Sequence, residues 1–408
     1  MQLSDVDLAN PDNYQHAGPP YEMFALLRRE APVFWHPDKE TPGFWALTRH
    51  ADVANVSKNS QLFSAARRGV FLFESNEEDL SNLQMMLVNR DPPQHTQLRR
   101  MVSPGFTPRR IAMLEETVRL RAGEIIDRVA ARGECDFVTD LAADLPLQVI
   151  AELVGVPMED RGKVFEWSNQ LIGFDDPEYS GDREEQKRCA MEVYLYANQL
   201  AEKRREQPTD DLTSILINGE VDGERLTEME FDLFFLLLLV AGNETTRNAI
   251  SGGMLALINN PGQRARLIAN PALTNIAAEE IVRWVTPVNC FRRTAMQDTT
   301  IGGQRVREGD KVVMFYPSAN RDERVFPNPD SFDVGRTPNE HLAFGVGTHF
   351  CLGNALARLE IKVMFEELLR RLPDIELAGP VECLRSSFIN GIKRMPVRFT
   401  PERLRRSA

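Results

Sequence analysis

Apolar residues recur at three- and four-residue spacing along most of this chain, so helices dominate what its pattern predicts. PYEMFALLRRE (20–30), RRIAMLEETVRLRAGEIIDRVAARG (109–133), CAMEVYLYANQLAEKRREQ (189–207) and ALARLEIKVMFEELLRRL (355–372) each carry an apolar stripe. The longest candidate runs from about Thr227 to Asn260. Thr227 is placed to cap its first turn, Glu230 to complete a capping box, and Pro261 stands just past its end. Alternating patterns are rarer and shorter. GFWALTR (43–49), TTIGGQRVREGDKVVMFY (299–316) and MPVRFTP (395–401) predict strands, the middle one as a hairpin with glycines and Asp310 at its turns. Strands early and late with helices between predict a mainly α fold with small β-sheets. No linker, repeat or compositional shift divides the 408 residues, so a single large domain spanning 1–408 is the expected organisation.

Composition changes this picture little. The chain is 42% hydrophobic and 26% charged, an ordinary globular balance. A net charge of −12 argues against nucleic acid as a partner, because phosphate binding needs a basic face. The most apolar run, FFLLLLVAG (234–242), is about half of what a membrane crossing needs. The first residues, MQLSDVDLANPDNYQ, show neither a basic start nor an apolar core. No secretion signal and no membrane anchor is expected, and a cytoplasmic location follows.

The five cysteines are odd in number, widely spaced and free of any CxxC, which disfavours a disulfide framework or a structural zinc site. One of them stands out. FGVGTHFCLG (344–353) sets Cys351 among three glycines, a histidine and two phenylalanines, just before an amphipathic run. No His/Asn partner for a nucleophilic cysteine is evident. The choices left are a buried cysteine in a Gly-rich loop and a thiolate bound to a haem iron. A bound thiolate wants backbone N–H groups and a helix N-terminus beside it. The run from Asn354 supplies the helix. Gly345, Gly347 and Gly353 allow a tight turn that lies close to a flat ring. Phe344 can shield the sulfur.

Three other stretches carry unusual chemistry. AGNETT (241–246) puts an acid beside a threonine in the middle of the longest helix. A threonine there can bond back to a carbonyl one turn earlier and open the helix next to Gly242. In EEIVRW (279–284), Glu280 and Arg283 share a helix face and can pair. In DPPQHTQLRR (91–100), His95 and Arg99 lie one turn apart, two donors suited to a carboxylate.

In this order the four stretches resemble the cytochromes P450, the haem-thiolate monooxygenases. The resemblance covers nearly the whole chain and implies the cytochrome P450 fold. It implies Cys351 as proximal ligand of the iron of haem b (heme b, iron-protoporphyrin IX), in a loop spanning 344–353. It makes the helix of about 227–260 the oxygen-activating one, with Ala241 beside the cofactor and Glu244 and Thr245 as the acid–alcohol pair that relays protons. It sets His95, Arg99, Arg293 and His349 around the haem propionates, with Arg292 as rival to Arg293, and Phe344 and Gly353 against the ring. It makes Glu280 and Arg283 a buried pair joined by Arg336, serving folding and haem retention.

The chain carries no flavin or iron–sulfur motif, so electrons are expected from a separate ferredoxin and ferredoxin reductase. Arg99, Arg100, Arg109, Arg110, Arg358 and Lys362 are the candidates for a basic docking face. A hydrophobic small-molecule substrate and O2 complete the partners. Val70, Phe71, Leu72, Phe73, Met85, Met86, Leu87, Val240, Val288 and Phe388 are expected to line its pocket. WSNQLIGFDDPEY (167–179), VMFYPSAN (313–320) and SFINGIKRMPVRFTP (387–401) resemble bacterial members that oxidise sterol side chains and methyl-branched lipids. Terpenoid hydroxylation is the alternative. A haem-thiolate peroxygenase, a non-catalytic haem sensor or carrier and a haem-free helical binding protein are the competing classes. Glu244 and Thr245 argue against the first, because such peroxygenases typically lack that pair.

Overall fold

The computed structural model describes residues 1–38, 41–172, 175–179 and 183–402. Glu228–Asn259 is one continuous helix of 32 residues through the middle of the molecule. Its start follows the pattern: Thr227 Oγ1 accepts from the Glu230 N–H, and the Glu230 carboxylate accepts from the Thr227 N–H. The helix is apolar nearly all round because the others wrap it. Asp144–Val154, Arg183–Glu206, Thr274–Val285 and Asn354–Arg371 all pack on it. The crossing is close. A Cβ on Gly253 would lie 2.7 Å from Ile281 and 2.9 Å from the Phe365 ring, so this glycine sets how near two neighbouring helices come.

The stretch predicted as one helix over 109–133 is two, Pro108–Ala112 and Glu115–Ala130. The apolar period runs through the bend unchanged, and no glycine or proline marks it. The predicted 299–316 hairpin is half right. Thr299–Ile301 and Gln304–Val306 pair across Gly302 and Gly303. Lys311–Phe315 instead enters a five-stranded sheet, parallel to Phe44–Leu47 on one side and antiparallel to Cys290–Ala295 on the other. All five of its residues are buried, as a central strand requires. Val33–His36 and Phe63–Ser64 form the sheet's edges. Pro396–Arg398 lies between Glu134–Asp136 and Glu376–Leu377 in a small second sheet.

A buried ionic cluster ties the helices to the segment that leads into the cysteine loop. Arg283, 0% exposed, donates to Glu280 through Nε (2.7 Å) and Nη2 (2.8 Å). Arg336 Nε reaches both Glu280 oxygens at 3.1–3.2 Å, and Asn339 Nδ2 adds a fourth donor at 3.2 Å. Arg283 Nη1 also donates to the carbonyls of Asn320 (2.8 Å) and Pro329 (3.0 Å). Among the described residues no helix is long and apolar enough to cross a membrane.

Candidate functional site

The cysteine loop takes its shape from two glycines. Gly345 and Gly347 have φ of 69° and 78°, where a Cβ is strained. A Cβ on Gly347 would also press to 3.1 Å of the Lys58 and Ser57 backbone, while Ser57 Oγ donates to the Val346 carbonyl at 2.8 Å. The Cys351 N–H donates back to Phe344 O (2.8 Å), and Asn354 Nδ2 donates to Cys351 O (2.7 Å). The helix Asn354–Arg371 begins three residues on, so its first N–H groups face the sulfur. Burial raises the Cys351 thiol. The N–H groups of Gly353 and Asn354 and the charges of Arg99 and Arg358 act the other way.

Opposite the sulfur, across one cavity, lies the central helix. Ala241, Gly242, Thr245 and Ala249 line the cavity from that side. Thr245 Oγ1 donates to Ala241 O at 2.7 Å, the back-bond expected from the sequence. Glu244 lies on another face, since successive helical residues are turned by about 100°. It is 1% exposed, does not line the cavity, and bonds through Oε1 to Arg247 and to Asn248 Nδ2 (3.1 Å), while Oε2 has no hydrogen-bond partner among the described residues. The alcohol therefore faces the cavity and the acid stands behind it.

Four basic side chains converge on the cavity's edge. His95 and Arg99 come from the helix Gln94–Val102, Arg293 from a sheet strand and His349 from the cysteine loop. The His95 and His349 rings are 4.4 Å apart. Burial first, then Arg99, lowers His95 to about 4. Burial first, then Arg293, His95 and Arg99, lowers His349 to about 2. Both shifts favour the neutral ring, and among the described residues His349 Nε2 is buried without a partner. Arg293 is bonded to Arg292 O and Arg99 to Thr348 O. Among the described residues neither is in an ion pair with a carboxylate. The rival Arg292, on the other face of its strand, pairs instead with Glu74 at 2.9 Å.

The family model for Cytochrome P450 matches residues 12–373. The chain belongs to the cytochrome P450 family. It is 45% identical over 403 residues to a steroid C26-monooxygenase of Rhodococcus jostii, covering 96% of this chain and 84% of that one. It is 44% identical over 388 residues to a methyl-branched lipid omega-hydroxylase of Mycobacterium tuberculosis, with 92% and 90% covered. It is 40% identical over 403 residues to a linalool 8-monooxygenase of Pseudomonas putida, with 97% and 99% covered. A solved Mycobacterium marinum cytochrome P450 in complex with pseudoionone matches with a TM-score of 0.90 at 41% identity, covering 97% of this chain and 98% of that one. This P450 is a monooxygenase of hydrophobic compounds, built on the P450 fold that the motifs implied.

Haem iron is the cofactor that follows from the family, and the residues present fit it. Buried Arg293 and half-buried Arg99 of this P450 want an anionic partner such as a propionate. A Cβ on Gly353 would meet no protein atom within 4 Å, so the loop has room there for a flat ring. The cavity, together with the open solvent at its mouth, spans about 1550 Å³ free of protein atoms. Its walls include Leu87, Leu237, Val288 and Phe291.

Of the residues expected along the substrate pocket, only Leu87 and Val288 line this cavity. Val240 and Phe388 pack with Val288, Leu384, Ile389 and Tyr179 in an adjoining apolar cluster. Phe71 stacks on Phe73 (5.3 Å) and meets Phe388 edge-on (5.3 Å). Val70 is fully buried and Leu72 packs into the core beside the sheet. Residues 173 and 174 of the lipid-hydroxylase-like stretch 167–179 lie outside the described residues.

The proposed basic face is largely neutralised within the chain. Arg100 pairs with Asp222 (3.1 Å), Arg110 with Asp210 (2.9 Å), Arg358 with Glu279 (2.5 Å) and Lys362 with Glu115 (2.8 Å). Arg99 faces the cavity. Arg109 is exposed and, among the described residues, in no ion pair. One residue the sequence reading passed over is Glu360, which lines the cavity. Its carboxyl is fully buried, Oε2 has no partner among the described residues, and burial raises it well above the ordinary range. An acid on the apolar stripe of 355–372 was the available signal.

Proposed function

We propose that this P450 hydroxylates a terminal or methyl-branched carbon of an apolar lipid, with a sterol side chain as the preferred substrate. One observation carries the reading. Cys351 and Thr245 line one apolar cavity from opposite sides, and at its edge stand Arg99 and Arg293, which among the described residues are in no ion pair. Cys351 is the iron ligand, and Arg99, Arg293, His95 and His349 receive the propionates of haem b. Bound there, haem supplies activation of O2, while a thiolate donates electron density that favours O–O cleavage. The protein's part is placement. Thr245 holds a hydroxyl at the distal side, and its back-bond to Ala241 O loosens the helix enough to admit water. Glu244, after releasing Arg247, takes up a proton from water and passes it to that hydroxyl, since its carboxylate does not face the cavity at rest. Phe344 and the loop keep water from the sulfur. The apolar walls exclude water and hold the substrate by area rather than by hydrogen bonds.

The names of the relatives support this substrate class: a steroid C26-monooxygenase and a methyl-branched lipid omega-hydroxylase. The linalool relative keeps a monoterpene as the second reading. A separate ferredoxin and its reductase supply electrons, and the proposed location is the cytoplasm.

The test is a spectral titration of the haem-loaded protein with cholest-4-en-3-one and, separately, with a monoterpene alcohol. A high-spin shift saturating at low micromolar sterol is the expected result. A shift with the alcohol alone replaces the sterol reading with the terpenoid one.

A further inference from the structure

The Cys351 backbone is held at both ends by residues that Arg358 touches. Its N–H donates to Phe344 O at 2.8 Å, and the Arg358 guanidinium lies over the Phe344 ring, 4.4 Å from the ring centre. Its carbonyl accepts from Asn354 Nδ2 at 2.7 Å, and Arg358 Nη1 donates to Asn354 Oδ1 at 2.5 Å. Arg358 is itself held in a fork by Glu279, Nε to Oε1 at 2.5 Å and Nη2 to Oε2 at 3.1 Å. His341 Nε2 bonds the same carboxylate at 3.1 Å. The Ala343 N–H donates to His341 Nδ1 (3.3 Å), which puts the imidazole proton on Nε2. Burial alone would raise the Glu279 carboxyl, but the His341 and Arg358 bonds hold it down at about 2, so it stays charged. Glu279 adjoins Glu280, so the clamp is rooted in the helix that the buried ionic cluster fixes.

We propose that Arg358, oriented by Glu279, is a positioning residue that fixes the cysteine loop and sets the redox poise of the iron held there, as a counter-charge to the Cys351 sulfur. This rests on the reading of Cys351 as the iron's ligand. A fixed cation near the sulfur favours the reduced, more negative state of the iron–thiolate unit. Glu279 cancels part of that charge. The two residues therefore act with opposite sign on reduction, although they form a single salt bridge.

That opposition gives the test. Haem-loaded Arg358→Gln and Glu279→Gln proteins are titrated potentiometrically, and the spectrum of the reduced protein under CO is recorded for each. At a poise near the parent's midpoint, Arg358→Gln should lower the ferrous-to-ferric ratio several-fold and Glu279→Gln should raise it. The double variant should return toward the parent. Shifts of the same sign, or no shift in either, overturn the proposal, because a merely structural clamp predicts no opposition. If Arg358→Gln does not retain haem, Glu279→Gln decides alone: a rise supports the proposal, and a fall or no change overturns it. Absence of the thiolate CO band in the parent protein would overturn the ligand assignment instead, which separates the two failures.

Discussion

Thr245 and Glu244 are neighbours in sequence and not in space. The alcohol faces the cavity and bonds back to Ala241 O at 2.7 Å; the acid is held behind the helix by Arg247 and Asn248. Replacing the alcohol removes a proton donor and little packing. In Thr245→Ala, haem uptake should be retained and donor electrons consumed at near the parent's rate, while product per electron pair falls several-fold and peroxide rises. Unchanged coupling, read as product against donor oxidised, would remove Thr245 from proton delivery. Both residues were legible because an acid–alcohol pair in mid-helix is a poor choice for packing. The direction Glu244 faces was not legible. It depends on Arg247, three residues on, capturing the carboxylate, and helix spacing alone leaves that contest undecided. The two adjacent arginines of the strand show the same limit. Period-two alternation says that Arg292 and Arg293 face opposite ways, and only Glu74, more than 200 positions away, settles which one turns from the cavity.

At the scale of elements, the buried Glu280 cluster couples the helix Thr274–Val285 to the segment preceding the cysteine loop. Its energetics are lopsided. A buried pair adds little over apolar residues of the same shape, yet losing one partner strands a charge at a cost of about 3–5 kcal/mol. In Glu280→Gln, both Arg283 and Arg336 lose their carboxylate, and Arg283 is fully buried. That variant should lose about 3 kcal/mol or more of stability and release haem on gel filtration, read by its denaturation midpoint and its Soret-to-protein absorbance ratio. A parent-like midpoint with full haem would show that the cluster is dispensable. The Glu–Arg spacing was visible in the sequence as a weak signal. What raised it above a surface pair was the third partner, Arg336, which no local pattern reaches. Helix spans were legible where one apolar stripe is read by one core. They were least so at the bend after Ala112, where the stripe continues across a break, and at Lys311–Phe315, whose wholly buried run looks like half of a local hairpin until its distant strand partners are known.

The molecule as a whole is acidic, with net charge −12, and the proposed reaction draws its electrons from a separate ferredoxin. Its basic residues near the cysteine loop are mostly spent on neighbouring acids, so counting arginines overstates the attraction to an acidic donor. Asp222 already offsets Arg100 and Asp210 offsets Arg110. Arg109 is exposed beside Met113, itself 72% exposed, on the rim of a shallow groove, where a free charge next to an apolar anchor suits transient docking. Charge reversal should therefore discriminate between positions. Arg109→Glu should slow reduction by ferredoxin markedly at low ionic strength, and the deficit should shrink as salt shortens the Debye length from about 30 Å at 0.01 M to about 8 Å at 0.15 M. Arg100→Glu also adds a like charge beside Asp222, but it removes no free cation from the groove, so its effect should be smaller at every salt concentration. Stopped-flow reduction under CO measures both. Equal slowing by the two variants would mean that the donor reads the summed charge of the face, and parent-like rates in both would move the docking surface elsewhere.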